Sequence, residues 1–307
     1  MASNDFLDRL LRSLHTARAI SMTGISPDIA TFSTSTAIDF TVVIPTYNGA
    51  QRLPEVLARL RTQTFSIPLT WEVIVIDNNS QDGTAKVVEA FQANFPCPLR
   101  CIAEPQQGLA FARRCGLLAA QSEWVGFLDD DNLPDAHWIE AAYEFARSHP
   151  QVGAIASRIC GEFEVPPAAE LTPILPFLAL TDRGIQPLLY QPQQKILPPG
   201  AGLVVRKSVW LAHVPAVTIL AGRIGGNMLA GEDIEALGYI QRSGWEIWYN
   251  PAMQIWHKIP AWRLERAYLL SLFRGIGLSR HVTRMVCVAP WQRPWMMLAY
   301  LLNDLRK

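Results

Sequence analysis

The 307-residue sequence predicts an α/β domain with a mostly parallel sheet flanked by helices. Three observations indicate this fold class: apolar runs rich in β-branched residues, segments of helical period between them, and polar residues where the runs end. Short apolar strands that alternate with helices are typical of a parallel sheet covered on both faces. The four predicted strands of the first half read TVVIP, EVIVID, LRCIAE and WVGFLDD (41–45, 72–77, 99–104 and 124–130).

A predicted helix follows each of these strands. The helices are indicated by apolar residues that recur every three or four positions, as on the buried face of an amphipathic helix. In chain order they are marked by Leu53, Val56, Leu57 and Leu60, by Val87, Val88 and Phe91, by the run GLAFARRCGLLAA, and by Trp138, Ala142 and Phe145.

The chain after Gln151 predicts a looser continuation of the same domain. The run VGAIASRI indicates a strand, and the Pro-rich stretch from about 165 to 200 is an irregular excursion of the kind that often forms a lid or a binding wall. GAGLVVRK then returns to strand-like character. A helix is predicted from about Asp233 to near Gly244, and another strand follows it.

The composition excludes some classes of function. Lys plus Arg and Asp plus Glu number 27 each, so no global basic field favours a nucleic acid partner. The five cysteines are scattered without metal-binding spacing, which suits reduced thiols in a cytoplasm. No apolar run approaches the roughly 20 residues needed to span a bilayer. Hydrophobic residues still make up 50% of the chain, which leaves contact with a membrane surface open.

Polar residues collect at the carboxyl ends of the four predicted strands. They are TYN, DNNSQDGT, EPQQG and DDDN (46–48, 77–84, 104–108 and 129–132). Ligands of open α/β sheets bind outside the carboxyl ends of the strands, so we expect these segments to open onto one crevice. Each precedes a predicted helix, whose N-terminus favours anions. The crevice therefore suits a nucleotide diphosphate.

Three consecutive carboxylates, Asp129, Asp130 and Asp131, end the fourth predicted strand in FLDDDNLP. Like charges at this spacing repel and raise one another's pKa, so the cluster needs a compensating cation or hydrogen bonds. Mg²⁺ or Mn²⁺ fits, because these ions prefer oxygen ligands and share coordination with substrate phosphates. The alternative is a capped turn before a helix that begins at Pro134.

Other polar residues are candidates for the same site, each with a structural alternative. Asp77 could accept an N–H of a base, or could cap the end of its strand. Arg113 or Arg114 could bind phosphate through the guanidinium fork, or lie on a solvated helix face.

Two candidates come from the second half. The pair Glu232 and Asp233 could complement a helix N-terminus, or a carboxylate there could take the proton from an acceptor hydroxyl. His257 in IWHKIP is either a packed histidine or, if the chain folds back, a ligand of the metal or the diphosphate.

Taken together these residues resemble family 2 of the glycosyltransferases, which has the GT-A fold. The resemblance covers about Phe40 to Ser279 and rests on seven segments in the same order. They are VVIPTYNGAQRL, VIDNNSQDGT, QGLAFARRCG, FLDDDNLP, PPGAGLVVRK, GEDIEALGYIQRSGWEIWYNP and WHKIP.

This resemblance implies a nucleotide-sugar donor, a divalent metal and inversion at the anomeric carbon by direct displacement. A UDP-sugar is the favoured donor. The resemblance implies that Asp233 is the general base and that Arg113 contacts the diphosphate. It further implies a base pocket at Thr46, Tyr47, Asn48 and Asp77, the ribose side at Asp130, metal ligation by Asp131 with Asp129 and His257, and further donor contacts at Pro45, Asn79, Gly108, Asp129 and Glu232.

Two departures from the family pattern matter. Arg114 stands where relatives usually have Asn, which puts the phosphate contact there in doubt. QRSGW lacks the Gln-x-x-Arg-Trp signature of processive synthases, because Gly244 precedes Trp245. We therefore predict the transfer of a single sugar per encounter. The tail after His257 also resembles members that build bacterial exopolysaccharides.

The resemblance also divides the chain. Residues 1–38 are predicted to form an amphipathic helix and linker, and 39–258 the GT-A domain, with a nucleotide-binding half (39–150) and an acceptor half (151–258). Residues 259–307 are predicted to be helical. Six of the ten tryptophans lie in the last quarter with arginines, a composition suited to a bilayer interface, namely Trp245, Trp248, Trp256, Trp262, Trp291 and Trp295. We expect peripheral attachment to the cytoplasmic face of the membrane and a glycan or lipid-linked acceptor.

Alternative functions stay open at this point. A sugar-phosphate nucleotidyltransferase would share the sheet and the metal, but it would need a Gly-rich basic loop after the first strand, and TYNGAQRL is a poor version. A nucleotide- or glycan-binding protein without activity is the alternative outside enzymes. A dinucleotide oxidoreductase is disfavoured, because no GxGxxG follows a strand.

Overall fold

The computed structural model describes residues 37–194, 196–222 and 228–306. The predicted N-terminal helix and linker lie outside the described residues, apart from residues 37 and 38.

In the described part of the chain, nine strands form one sheet in the order β3-β2-β1-β4-β8-β6-β9-β5, with β7 paired to β9. Their bounds are β1 Phe40–Thr46, β2 Trp71–Asp77, β3 Leu99–Ala103, β4 Trp124–Phe127, β5 Asn132–Pro134, β6 Val152–Phe163, β7 Leu188–Leu189, β8 Leu203–Arg206 and β9 Glu246–Ile259.

The sheet is mostly parallel, as the sequence predicts. Strands β3, β2, β1 and β4 pair in parallel, and so do β6 and β9. Strand β8 lies antiparallel between β4 and β6, while β5 and β7 lie antiparallel to β9. Because β8 separates the two parallel groups, β6 and β9 point the same way as β1, and their carboxyl ends reach the same edge.

Helices cover both faces of the sheet. Among the described residues they are α1 Leu53–Arg61, α2 Thr84–Gln92, α3 Leu109–Ala119, α4 Trp138–Ser148, α5 Lys207–His213, α6 Glu232–Arg242, α7 Arg266–Val286 and α8 Arg293–Leu305. Short 3₁₀ helices occupy Ala169–Leu178, Pro192–Gln194, Ala261–Leu264 and Pro290–Gln292.

The core explains why β1 is apolar at successive positions. Val42 and Ile44 belong to one buried cluster together with Leu57 of α1, whereas Val43 belongs to the other together with Leu237 of α6. A strand buried on both faces needs apolar side chains pointing both ways. Complete burial of each contributes about 1.5–3 kcal/mol.

The alternative of a helix beginning at Pro134 is wrong. Residues Asn132–Pro134 instead form the short strand β5, antiparallel to β9, and α4 begins at Trp138. The extended backbone places Leu133 in the core with no exposed surface. The expectation that the acidic triplet directly precedes a helix is therefore also wrong, because a strand lies between them.

The Pro-rich excursion and the C-terminal segment lie beyond the central strands. The excursion contains the 3₁₀ helix Ala169–Leu178, which packs with α7 in a small third cluster through Leu178, Leu269 and Leu272. Helix α8 has no buried residue. Across the described ranges, no helix combines the length and apolarity needed to cross a bilayer.

Candidate active site

A cleft of about 990 Å³ opens at the carboxyl ends of β1 and β4. Its second wall comes from the start of α6, from α7 and from the 3₁₀ helix Ala169–Leu178. Ten of the residues that the sequence analysis selected line it: Pro45, Thr46, Tyr47, Arg113, Asp129, Asp130, Asp131, Glu232, Asp233 and His257. The topology thus brings the predicted donor residues and the predicted base to one cavity.

Four of the selected residues, at the end of β2 and in the loops nearby, do not line the cleft, and their predicted roles stay predictions. Asn48 and Asn79 adopt left-handed backbone conformations, with φ of 49° and 67°, which asparagine tolerates better than most residues. The Asn48 side chain accepts the N–H of Gln81 at 2.8 Å, and Asp77 accepts the N–H of Ser80 at 2.9 Å. Gly108, with φ of 141°, precedes α3.

Asn78 fixes the loop that leads to α3. Its amide nitrogen donates to the carbonyls of Glu104 and Gln106 at 3.0 and 2.8 Å, and its amide oxygen accepts the N–H of Gly108 at 2.7 Å. Three hydrogen bonds from one buried side chain hold this turn in a single conformation. The sequence analysis did not single out Asn78, although it lies between two residues that it did select.

The Asp130 carboxylate is held by Arg52, the residue that directly precedes α1. Arg52 donates Nε to Oδ1 and Nη2 to Oδ2, both at 2.8 Å, and the Thr46 hydroxyl donates to Oδ2 at 2.5 Å. Bidentate pairs of this kind fix orientation as well as charge. Gly49 permits the arrangement, because a Cβ there would lie 1.9 Å from the Thr46 hydroxyl oxygen. Arg52 was not predicted as a site residue.

A buried arginine joins the two halves of the cleft. Arg113 on α3 donates Nη1 to Glu232 at 3.1 Å and Nη2 to Asp129 at 3.3 Å. Its side chain is 4% exposed. The backbone of Gly200 passes directly over the guanidinium, where a Cβ would come within 2.6 Å of Nη1. Burial lowers the pKa of Arg113, but the carboxylates of Asp129 and Glu232 outweigh it and raise the pKa above the ordinary value.

The first turn of α6 presents two carboxylates with different surroundings. Burial raises the pKa of Glu232 to about 7, with a further rise from Asp233 that Arg113 opposes. Asp233 is less buried and lines the cleft. Its Oδ2 accepts the N–H of Gly200 at 2.6 Å and its Oδ1 the N–H of Ile234 at 2.7 Å. Asp233 is therefore held in one orientation by backbone donors.

Asp131, His257 and Arg263 form a triangle in the same cleft. Arg263 donates Nη2 to Asp131 Oδ2 and Nη1 to His257 Nε2, both at 2.8 Å. The distance from His257 Nε2 to Asp131 Oδ2 is 3.6 Å. Burial raises the pKa of Asp131, but the charge and hydrogen bond of the Arg263 guanidinium outweigh it and hold the pKa below its usual range. His257 does fold back to the acidic cluster, as its candidate role required.

The residues present fit a metal centre that substrate would complete. Among the described residues, no three His, Cys, Asp or Glu side chains converge on one point. Asp129 is directed to Arg113, so the converging pair is Asp131 with His257. Divalent cations in phosphate-binding sites commonly take one or two protein ligands, and water and phosphate oxygens complete the shell. This pair matches that pattern, and ligation by Asp129 stays a prediction.

The arrangement is suited to binding an anion and moving a proton. Arg52, Arg113 and Arg263 line the cleft together with the acidic triplet. The cleft also contains Asp233, a carboxylate oriented by backbone N–H groups. Arg52 and Arg263 balance the charges of Asp130 and Asp131. Nothing in the sequence marks these two arginines as site residues, apart from their position near the selected motifs.

Solved structures with this fold include transferases in complex with nucleotides. Staphylococcus aureus TarS 1–349 in complex with UDP-GlcNAc superposes with a TM-score of 0.55 at 16% identity, over 81% of this chain and 67% of that one. GalNAc-T7 with UDP, GalNAc and Mn²⁺ superposes with a TM-score of 0.53 at 14% identity, over 79% and 48%. The predicted GT-A fold is confirmed.

Sequence relatives carry transferase names. Glycosyltransferase AglE of Haloferax volcanii is 35% identical over 107 residues, which is 35% of each chain. The pre-mycofactocin glycosyltransferase of Mycobacterium tuberculosis is 29% identical over 222 residues, 71% of this chain and 42% of the relative. The alignments thus span less than half the length of either relative.

A family model decides the classification. The model described as "Glycosyl transferase family 2" matches residues 41–208, which is more than half of the 307 residues. This range contains the strands β1 to β4, the acidic triplet and Arg113. The chain belongs to glycosyl transferase family 2.

Proposed function

We propose that this chain is an inverting glycosyltransferase that moves one sugar from a nucleotide-diphosphate sugar to a hydroxyl of a glycan or lipid-linked acceptor. The observation that carries the proposal is that Asp233 lines the same cleft as the acidic triplet and its arginines. Polysaccharide biosynthesis is the proposed setting.

Two comparisons support a UDP-sugar as the donor and a divalent metal as the cofactor. TarS binds UDP-GlcNAc, and GalNAc-T7 binds UDP and Mn²⁺. In this chain, Asp131 and His257 would hold Mn²⁺ or Mg²⁺, which would stabilise negative charge on the leaving diphosphate. Tyr47 is 46% exposed at the cleft, which suits stacking against the base.

Asp233 would act as the general base. The acceptor hydroxyl oxygen attacks the anomeric carbon, Asp233 takes the hydroxyl proton, and the bond from that carbon to the diphosphate oxygen breaks. Because the hydroxyl oxygen attacks from the face opposite the breaking bond, the configuration at this carbon inverts and the nucleoside diphosphate leaves. Positioned proton transfer of this kind is worth about 10²–10⁴-fold in rate.

The wall of the cleft formed by α7 and the 3₁₀ helix Ala169–Leu178 supports an acceptor with an apolar part. Phe177, Leu178, Leu272, Phe273 and Ile276 line it, and the rings of Phe177 and Phe273 lie edge to face with centroids 5.0 Å apart. The aliphatic side chains of Leu178, Leu272 and Ile276 add surface whose burial is favourable with an apolar ligand, as in a lipid-linked acceptor.

The C-terminal helices support attachment to the cytoplasmic face of a membrane. Trp291 and Trp295 are each 74% exposed, and α8 adds exposed Leu298, Leu302 and Leu305 at helical spacing. Residues 260–307 contain eight Lys and Arg but two Asp and Glu. Exposed tryptophans beside cationic side chains are suited to an anionic lipid surface.

A release assay tests the proposal. The full chain is incubated with a panel of nucleotide sugars and Mn²⁺, with and without membrane lipid extract as acceptor, and free nucleoside diphosphate is measured. We expect release from one UDP-sugar, faster with acceptor and abolished by EDTA. A chain that releases no nucleoside diphosphate from any donor contradicts the proposal.

Two further measurements separate the alternatives. A sugar-phosphate nucleotidyltransferase would produce pyrophosphate from a nucleoside triphosphate and a sugar phosphate. A binding protein without activity would retain the intact nucleotide sugar, seen by chromatography of the bound fraction, and would release no product.

A further inference from the structure

We infer that Arg263 competes with the divalent cation for Asp131 and His257: its guanidinium bridges this pair and must leave before a cation can bind it. The inference rests on the proposed function, since it concerns regulation of the same site.

The geometry of the triangle carries this inference. The guanidinium places Nη2 at 2.8 Å from Asp131 Oδ2 and Nη1 at 2.8 Å from His257 Nε2. The two acceptor atoms lie only 3.6 Å apart. One positive group therefore bridges a carboxylate oxygen and an imidazole nitrogen, which is what a metal ion bound to the pair would do. Both cannot occupy the gap together.

The tautomer of His257 also supports competition between Arg263 and a cation. Arginine can only donate hydrogen bonds, so Nε2 of His257 accepts and the ring proton lies on Nδ1. A metal ion would need the same unprotonated Nε2. His257 is 7% exposed, and Nδ1 has no hydrogen-bond partner in the part of the chain that the structure describes. The ring thus has the tautomer that a metal ligand needs, and the Nε2 lone pair accepts the hydrogen bond from Arg263.

Arg263 is also placed to leave. It lies on the 3₁₀ helix Ala261–Leu264, outside the sheet, whereas Asp131 and His257 lie at the paired strands β5 and β9. Its side chain is 18% exposed, more than that of either partner. Movement of this short helix would free the pair without disturbing the strands.

The charge balance explains why such a competitor is useful. Without a cation, Asp131 would be a buried carboxylate beside Asp129 and Asp130, which is costly. The ion pair with Arg263 removes that cost. A divalent cation carries two positive charges, whereas the guanidinium carries one, and a bound diphosphate would supply the cation with further oxygen ligands. Binding of the cation with the diphosphate would therefore favour displacement of Arg263.

The test is direct binding of Mn²⁺ to the full chain without nucleotide, measured by loss of the free-ion signal in electron paramagnetic resonance. We expect Arg263→Gln to bind Mn²⁺ about tenfold more tightly than the wild type, a change of ~1.4 kcal/mol. Arg263→Lys, which cannot bridge both partners, should fall between them. Asp131→Asn should weaken binding in either background.

Arg158→Gln is the matched control. Arg158 pairs with Asp182 at 2.7 Å, and neither residue lines the cleft. This variant should bind Mn²⁺ as the wild type does, and thermal melts should show that each variant is folded. Equal or weaker Mn²⁺ binding in both Arg263 variants overturns the inference, and so does a lack of measurable Mn²⁺ binding in every variant. Metal-dependent release of nucleoside diphosphate would leave the proposed function standing in either case.

Discussion

Arg113 of α3 donates Nη1 to Glu232 of α6 at 3.1 Å, and Nη2 of the same guanidinium donates to Asp129 at 3.3 Å. The two carboxylates belong to segments about a hundred residues apart, at the end of β4 and the start of α6. One buried cation thus fixes the width of the cleft where donor and acceptor would meet.

Replacement of Arg113 should destabilise the fold. Arg113→Ala leaves Asp129 and Glu232 without their shared cation, and removal of one partner from a buried ion pair costs about 3–5 kcal/mol. Arg114→Ala, one position along the same helix, should cost less than about 1 kcal/mol. Urea unfolding measures both, and equal losses would contradict the structural role given to Arg113.

The pH dependence of stability should report Glu232. Its pKa of about 7 in the folded protein lies above the ordinary 4.5. The stabilising contribution is complete below pH 4.5 and is lost as the pH rises through 7, because the folded state must then give up the proton it holds. Glu232→Gln cannot titrate. The wild type should therefore lose about 3 kcal/mol relative to this variant between pH 4.5 and 8. Parallel stability curves for the two proteins would contradict the assignment.

Gly49 should tolerate no side chain. A Cβ at Gly49 would lie 1.9 Å from the Thr46 hydroxyl oxygen and 2.7 Å from Asp130 Oδ2, whereas one at Gly83 would meet nothing within 4 Å. Gly49→Ala should cost about 1–3 kcal/mol and weaken donor binding, since it displaces Asp130 from Arg52. Gly83→Ala should stay within about 0.5 kcal/mol of the wild type. Calorimetric melts and nucleotide titrations would show whether the two differ.

Asp233→Asn should separate binding from transfer. The variant keeps the shape of the side chain but cannot accept a proton, so turnover should fall by about 10²–10⁴-fold with little change in UDP affinity. Asp182→Asn, which alters an exposed carboxylate outside the cleft, should leave turnover unchanged. Undiminished turnover in Asp233→Asn would remove Asp233 from the mechanism.

The exposed tryptophans should govern membrane attachment. Replacing both Trp291 and Trp295 by Ser should reduce flotation with anionic liposomes roughly tenfold or more. The reason is the loss of two aromatic side chains that would be buried in the lipid surface. Ile185→Ser, at a position 80% exposed, is the control for loss of surface apolarity. Liposome association that survives the double replacement would place the contact elsewhere.

The sequence could predict the donor side of the fold because each of its signals is local. Strands such as β1 and β2 are buried on both faces, so they appear as continuous apolar runs, and parallel strands bring their carboxyl ends together. This places Thr46 and the acidic triplet at one edge before any contact is known. The motif order then favoured one family, and the family model confirms it.

The remaining features depend on contacts that the sequence does not mark. Arg52 meets Asp130 across 78 positions, and Arg263 meets Asp131 across 132. Neither partner can be inferred from periodicity or from the helix and strand signals. Strand β5 is three residues long and pairs with β9, so it is too short to show an alternation of its own. A helix start at Pro134 was the natural prediction for that reason.

The central claim is that the cleft binds a nucleoside diphosphate together with a divalent cation. Calorimetric titration of the full chain with UDP in the presence of Mn²⁺ tests it most directly. The account predicts saturable binding at one site, weakened by EDTA and by Asp131→Asn. If neither Mn²⁺ nor any nucleoside diphosphate binds the folded protein, the account is contradicted.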